Sequence, residues 1–437
     1  MFKITVAVLS FVIALANTSC RETKNETRPN ANDSPVVNTA HLDRLYFPVT
    51  FPGGQKAAGI YIYSEAPDYH FVADDDEGFT CVDDVARAAQ FYMRSENFKT
   101  DTALQNKVSM LIHFIIEMQS SNGYFYNFLT LDGKINTAGK TSVNDANWWS
   151  WRALHTLTEA SPLIKNINQP LSLQIDSAIF KLIRNIKSDL AAVPQTKTTL
   201  AGIPIPQWLP SGSASDQAAI ILLGLLNYCS VTKDDFMQEY IRTIANGIIS
   251  MQVADSNSLP YGYFLSWENV WHAYGNDQAY ALFKAGRFLN DSSYIQSALK
   301  EVSNFYPWLI KNGMKSSFTV AKRENSYVII DEEIFAQIAY GIRPMIFASL
   351  EAFAVTQDKK YAAIAKQLTS WFFSNNVANE VMYDRSSGRC YDGIVSANKI
   401  NKNSGAESTI EALLALQKMK AFNLLDSTVA SHQNKKQ

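Results

Sequence analysis

The sequence predicts an all-α protein whose helices come as hairpins closed into a single unit. From about residue 80 onward, apolar residues recur at helical spacing in about eleven segments, while strand-like alternation is short and confined to the connections. Links within most helix pairs are short, as in LNDSS or VTKDD, whereas links between pairs are long and aromatic. The first helix of each pair also opens on a similar acidic motif, the mark of an internal repeat.

Composition sets the outer bounds. The 437 residues are 47% hydrophobic and 18% charged with a formal net charge of −2, which suits a globular chain with a large core and excludes a disordered one. The near-neutral balance leaves no basic footprint for nucleic acid. Aromatics reach 12%, with 8 Trp and 20 Tyr, more than a core of this size needs, so some are expected in a binding cleft.

The elements follow in chain order. Met-Phe-Lys, the apolar run Ile4–Ala16 and Asn17-Thr18-Ser19-Cys20 have the layout of a secretory signal peptide over residues 1–19, too short to span a membrane. Small residues before Cys20 resemble a bacterial lipobox, with Asn17 in place of the usual Leu-like residue. They predict lipidation at Cys20 and a periplasmic or cell-surface lipoprotein. Polar residues 20–41 read as a disordered tether, and 42–78 (LYFPVTF, GIYIYS) as a strand-containing segment. The predicted helix pairs are Asp83–Arg94 with Thr102–Met118, Asp145–Leu157 with Leu171–Leu190, Asp216–Cys229 with Asp234–Met251, Asp277–Leu289 with Ser293–Ile310, and Glu333–Val355 with Lys360–Phe373. Glu407–Ala421 closes the series, and 426–437 reads as a polar tail. Cys81, Cys229 and Cys390 have neither CxxC nor His-paired spacing, so no zinc or thiol-protease site is expected.

The aligned openings are Asp84-Val-Ala-Arg-Ala, Asn144-Asp145-Ala-Asn-Trp, Ser215-Asp216-Gln-Ala-Ala and Asn276-Asp277-Gln-Ala-Tyr, with looser counterparts at Asp331-Glu332-Glu333 and Ser404-Gly-Ala-Glu407. Six acidic openings on six inner helices, with the long loops at one end, resemble the six-hairpin glycosidase-like (α/α)6 toroids over residues 79–425. The resemblance implies a carbohydrate-active enzyme. The toroid needs twelve helices, so the twelfth is expected to be irregular or to come from residues 42–66.

Local structure accounts for some of the acids. Thr80–Asp83, Ser142–Asp145, Ser213–Asp216 and Ser404–Glu407 all fit the capping box S/T-x-x-D/E. Asp83 is also one turn from Arg87, leaving Asp84 without a local duty, and Asp277 has no capping partner. Glu268 lies among Trp267, Trp271, His272 and Tyr274, where desolvation would raise its pKa as a general acid requires. The expected catalytic set is therefore Asp84, Glu268, Asp277 and Asp145. The expected substrate contacts are Arg87, Trp148, Trp149, Trp208, Tyr261, Trp267, Trp271, His272, Asn276 and Glu407. Core packing is the competing explanation for Trp151. The Asp74–Glu77 run lacks EF-hand spacing, and no cofactor or metal is expected.

These features point to a glycoside hydrolase acting on an oligo- or polysaccharide as a monomer, through paired carboxylates. An unsaturated-uronate hydrolase, with Asp84 or Asp145 as its main acid and Arg87, Arg152 or His272 on the substrate carboxylate, stays open. So do a polysaccharide lyase, a noncatalytic glycan-binding lipoprotein, and a terpenoid-type or protein-binding toroid.

Overall fold

The computed structural model describes residues 35–433, with side chains to 429. The signal peptide, Cys20 and most of the proposed tether lie outside the described residues. In chain order the α-helices are α1 (Ala40–Leu45), α2 (Val82–Met93), α3 (Thr102–Glu117), α4 (Trp148–Ile164), α5 (Gln169–Asn185), α6 (Ser215–Thr232) and α7 (Asp235–Ser250). They continue with α8 (Gln278–Leu289), α9 (Ser292–Lys300), α10 (Tyr306–Lys311), α11 (Ala339–Thr356), α12 (Lys359–Thr369), α13 (Ala406–Ala421) and α14 (Leu425–Gln433).

Helices α2, α4, α6, α8, α11 and α13 pack side by side into a closed ring, the last against the first. Their sequences explain their place. Every residue of α6 from Ser215 to Leu226, and of α11 from Ala339 to Ala352, is buried, as a helix enclosed on all sides requires. The outer helices bury one face only. In α7 that face is Met237, Tyr240, Ile241, Ile244, Ala245 and Ile248, at i, i+3, i+4 spacing.

The twelfth position is filled from both chain ends. Both α1 and α14 pack on α13, and α14 also reaches α12. The segment read as a polar tail is thus helical over Leu425–Gln433, with Leu425 and Val429 buried. Residues 35–41, read as the end of a tether, are also placed. Asn38 donates from Nδ2 to Arg385 O at 2.8 Å, and His41 Nε2 lies 2.8 Å from Ser404 O. The strands expected in 42–78 form two antiparallel hairpins, Tyr46–Thr50 with Lys56–Ile60 and Tyr63–Glu65 with His70–Val72; the second strand, Lys56–Ile60, lies along α3.

Two predicted helix starts move. Ser326–Glu333 is a strand, paired with Ser317–Arg323, which pairs in turn with Val270–His272. The β-branched stretch Tyr327-Val-Ile-Ile competes with helix there, so α11 starts only after Ile338. Asp145 precedes α4, whose N-cap is Asn147. None of the four expected capping boxes forms, because the hydroxyls find other partners, in a strand, in loops or in the helix itself. Thr80 Oγ1 accepts from Ile60 N, Ser142 Oγ donates to Asn136 O, Ser213 Oγ accepts from Glu268 N, and Ser404 Oγ meets Thr409.

The outer layer holds one buried acid, Glu301, where the helix widens to a π turn between α9 and α10. Its carboxyl accepts from Phe264 N and Tyr306 OH, both at 3.2 Å, and burial pushes its pKa up to about 8. The folded state therefore holds a proton that the unfolded chain has already released. Stability contributed by this proton is complete below pH ~4.5 and is lost as pH rises through about 8. Thermal unfolding followed from pH 5 to 8 should show a fall in Tm with rising pH that Glu301→Gln largely removes.

Candidate active site

The six inner helices run parallel, because side chains from their first two turns meet one another at one end of the ring. Helix N-termini carry partial positive charge and favour acids, which explains why carboxylates gather at this mouth. At its floor five buried groups alternate in sign. Arg87 Nη2 donates to Asp84 at 2.6 Å and Arg87 Nη1 to Glu411 at 3.0 Å. Arg343 Nε donates to the other Glu411 oxygen at 2.6 Å, and its two Nη atoms grip Asp277 at 2.6 and 3.0 Å. Burial alone would push the Glu411 carboxyl upward, but Arg343, Arg87 and Arg152 hold it below the ordinary glutamate range.

A third guanidinium, Arg152, pairs with Asp83 and donates to Tyr340 OH. The Tyr340 ring has Arg152 at 5.0 Å, Arg87 at 5.1 Å and Arg343 at 5.9 Å from its centroid. Gly275 lets the 267–277 loop close on this ring, since a Cβ there would sit 2.6 Å from Tyr340 OH and 3.0 Å from Trp148, and its φ is +64°.

The two adjacent aspartates have roles opposite to those expected. Asp84, not Asp83, is the partner of Arg87, and its side chain is only 3% exposed. Cys81 Sγ lies 3.4 Å from both the Asp84 amide and its carboxylate. Asp83 meets Arg87 only through its backbone carbonyl and keeps a side chain 25% exposed toward the mouth. Glu407, expected as a substrate contact, is the other open carboxylate. Its side chain is 42% exposed, with Oε2 accepting from Arg87 Nη1 at 3.2 Å. Enclosure by the bowl, opposed by Arg87 and reinforced by Asp84, Glu411 and Asp83, pushes its pKa up to about 7.

The remaining expected residues divide. Trp148 stands over Arg152 at 5.8 Å, and Tyr274, 45% exposed, stacks on His272 at 3.7 Å; both belong to the mouth. His272 faces Asp216 at 2.9 Å through Nε2 and Tyr274 O at 2.9 Å through Nδ1, so both ring nitrogens are engaged. Asn276 is buried just before α8, with no hydrogen-bond partner for its amide among the described residues. Glu268 sits at the tip of a turn with φ +50°, beside the 43% exposed Trp267. The aromatic enclosure expected around Glu268 is not formed, because Trp271 turns to the opposite side of its strand and stacks on Phe318 at 4.7 Å. Asp145 is exposed on the loop before α4, its carboxylate accepting only from Ala146 N among its described hydrogen bonds.

Three aromatics serve the scaffold. Trp149 Nε1 donates to Phe125 O at 2.7 Å, Trp208 Nε1 to Thr243 O at 3.3 Å, and Tyr261 OH to Asn304 at 2.8 Å. Sequence reasoning passed over Arg343, Tyr340 and Glu411. Arg343 and Glu411 lie a turn or more inside their helices, and Tyr340 opens α11 after a strand that the opening motif does not reach. No clustering of His, Cys, Asp and Glu suited to a metal occurs among the described residues.

Comparison with solved structures sets this arrangement among known folds. The chain is similar to cellobiose 2-epimerase from Bacillus thermoamylovorans, with a TM-score of 0.55 and 12% identity over 82% of this chain and 92% of that one. A D-mannose isomerase superposes with a TM-score of 0.54 and 13% identity over 90% of this chain and all of that one. An inactive variant of an α-1,6-mannanase of Salegentibacter sp., in complex with α-1,6-mannotetrose, gives a TM-score of 0.50 and 11% identity over 83% and 93%. The chain is an (α/α)6 toroid. No protein-family profile and no characterised sequence relative matches it.

The toroid's floor predicts a sharp contrast in stability. Arg343→Met strips Asp277 of its guanidinium, leaves Glu411 with Arg87 alone, and is expected to cost about 3–5 kcal/mol in chemical denaturation. Glu407→Gln, at the open edge of the same network, should cost less than about 1 kcal/mol.

Proposed function

We propose that the protein is a glycoside hydrolase that cleaves a neutral sugar chain at the toroid mouth, with Glu407 as general acid and Asp83 as the second carboxylate. The observation that carries this reading is Glu407, a solvent-reachable carboxyl at a helix N-terminus that keeps a proton up to about pH 7. Asp83, on the neighbouring helix and ion-paired with Arg152, supplies the second group that glycoside cleavage usually asks for. Trp148 and Tyr274 offer flat faces for a pyranose.

Charge balance favours a neutral substrate over a uronate. Five carboxylates surround three arginines here, and each arginine is already engaged by protein acids. Excess negative charge suits an oxocarbenium-like transition state and repels a substrate carboxylate. The solved structures that share the fold act on or bind sugars, as their names state. The mannanase variant is described as inactive with two adjacent aspartates replaced, and Asp83-Asp84 is such a pair.

A sugar epimerase is the second reading, supported by the epimerase likeness and by His272 with Asp216. With both His272 nitrogens occupied by protein groups, that imidazole has no free nitrogen for a substrate proton, so hydrolysis is preferred.

Neutral and uronic-acid oligosaccharides incubated in ¹⁸O-labelled water should yield labelled reducing ends from the neutral set. In the same panel run in D2O, deuterium at carbon without cleavage would instead establish epimerisation. Glu407 acts when protonated, so kcat/KM should be full below its pKa and fall as pH rises through about 7. Glu407→Gln should lower kcat by roughly 10²–10⁴-fold and abolish that limb, with aryl glycosides of good leaving groups partly rescued. Full activity in this variant on unactivated substrates would sink the assignment. The leader and Cys20 support the further proposal that this enzyme is exported and lipid-anchored. Cys20→Ser should then move it from the membrane to the soluble fraction.

A further inference from the structure

The opposite end of the ring carries a second cavity that the reading above does not use. It measures about 500 Å³, a size suited to a small organic ligand, and is walled by residues of all six inner helices and their ends, most of them from the C-terminal halves. Its apolar side is Phe288, Phe347 and Phe422. Its polar side is Lys284 and Lys418, over a floor made by the Arg94–Glu159 pair, in which Arg94 Nε and Nη2 grip the carboxylate at 2.7 Å each.

The charges behind this wall do not balance. One buried carboxylate, Glu351, serves three cations, Lys418 at 2.9 Å and Lys284 and Arg287 both at 3.4 Å. With Arg94 spent on Glu159, two positive charges remain in excess around Glu351; Lys284 and Lys418 line the cavity, whereas Arg287 lies outside its lining. Part of that excess offsets the negative helix C-termini, which attract cations in their last turn, as Lys418 and Arg287 do. Lys284 stands in the middle of α8, outside that effect, and lines the cavity directly. Burial, helped by Arg94 and Arg343, holds the Lys418 ammonium below the ordinary lysine range against the pull of Glu351. An added anion would relieve that. Both ammonium groups also lie over the Tyr280 ring, Lys418 at 4.7 Å and Lys284 at 5.7 Å, which aims them along one wall.

We infer that this cavity is a second ligand site, separate from the mouth, for a small organic anion whose carboxylate or phosphate meets Lys284 and Lys418 while its apolar body packs on the phenylalanines.

Titration calorimetry of the full chain with phenyl phosphate, benzoate and neutral benzyl alcohol tests it. Either anion should bind saturably and at least about tenfold tighter than the alcohol, and added salt should weaken it. The stronger of the two identifies the head group. Lys284→Met, at a half-exposed position that keeps the apolar stem, should weaken binding by about tenfold, as should Lys418→Met. Glu407→Gln should leave it unchanged, which separates this site from the hydrolase reading. The site is refuted if neither anion binds at millimolar concentration, if the alcohol binds as tightly, or if folded Lys284→Met binds like the parent chain.

Discussion

The closure of this ring depends on a chain of five buried charges, Asp84–Arg87–Glu411–Arg343–Asp277. An isolated charge in such a place costs several kcal/mol, and only alternate pairing makes five of them tolerable. The chain links α2, α8, α11 and α13, so helices that are far apart in sequence become interdependent. Arg87 and Glu411 are 324 positions apart and meet at 3.0 Å. Hydrophobic packing brings the last helix near the first, since apolar faces are non-directional. The ion pairs then select one register for that contact, because guanidinium and carboxylate must meet in line.

The same network decides which acids stay open at the mouth. Those it absorbs, Asp84, Asp277 and Glu411, are saturated by arginine and turned from solvent. Those it leaves at the edge, Asp83 and Glu407, keep access to the mouth. Asp84 and Asp277 hold Arg87 and Arg343 in place beside the open pair. Glu407 owes its raised pKa first to burial in the bowl, with the neighbouring acids Asp84, Glu411 and Asp83 adding to it against the pull of Arg87.

Helix dipoles give the two ends of the ring opposite characters. Acids collect where six N-termini converge, and lysines and arginines where the C-termini converge. At the mouth the surplus of acid faces the bulk solvent. At the far end the surplus of base faces a partly aromatic cavity. A parallel arrangement of helices therefore builds two chemically distinct compartments on one axis.

The sequence by itself determined the helices, their pairing and the end at which the acids gather. Helical periodicity and capping-like acids are local properties, readable over a few turns, and most predicted helix bounds agree with the structure to within a few residues. It also singled out Glu407 and Trp148, expected there as substrate contacts, and both lie at the mouth. Tertiary structure alone decided which acid of each pair faces the mouth. Asp83 and Asp84 are both about one turn from Arg87, so spacing cannot choose between them; Glu411 on a helix from the far end of the chain does, by drawing Arg87 inward. The hydroxyls of Thr80, Ser142 and Ser213 were likewise diverted from capping by loops and strands brought alongside. These choices rest on contacts that span from 6 positions, at Ser142 and Asn136, to 324, at Arg87 and Glu411, and helical spacing does not encode them.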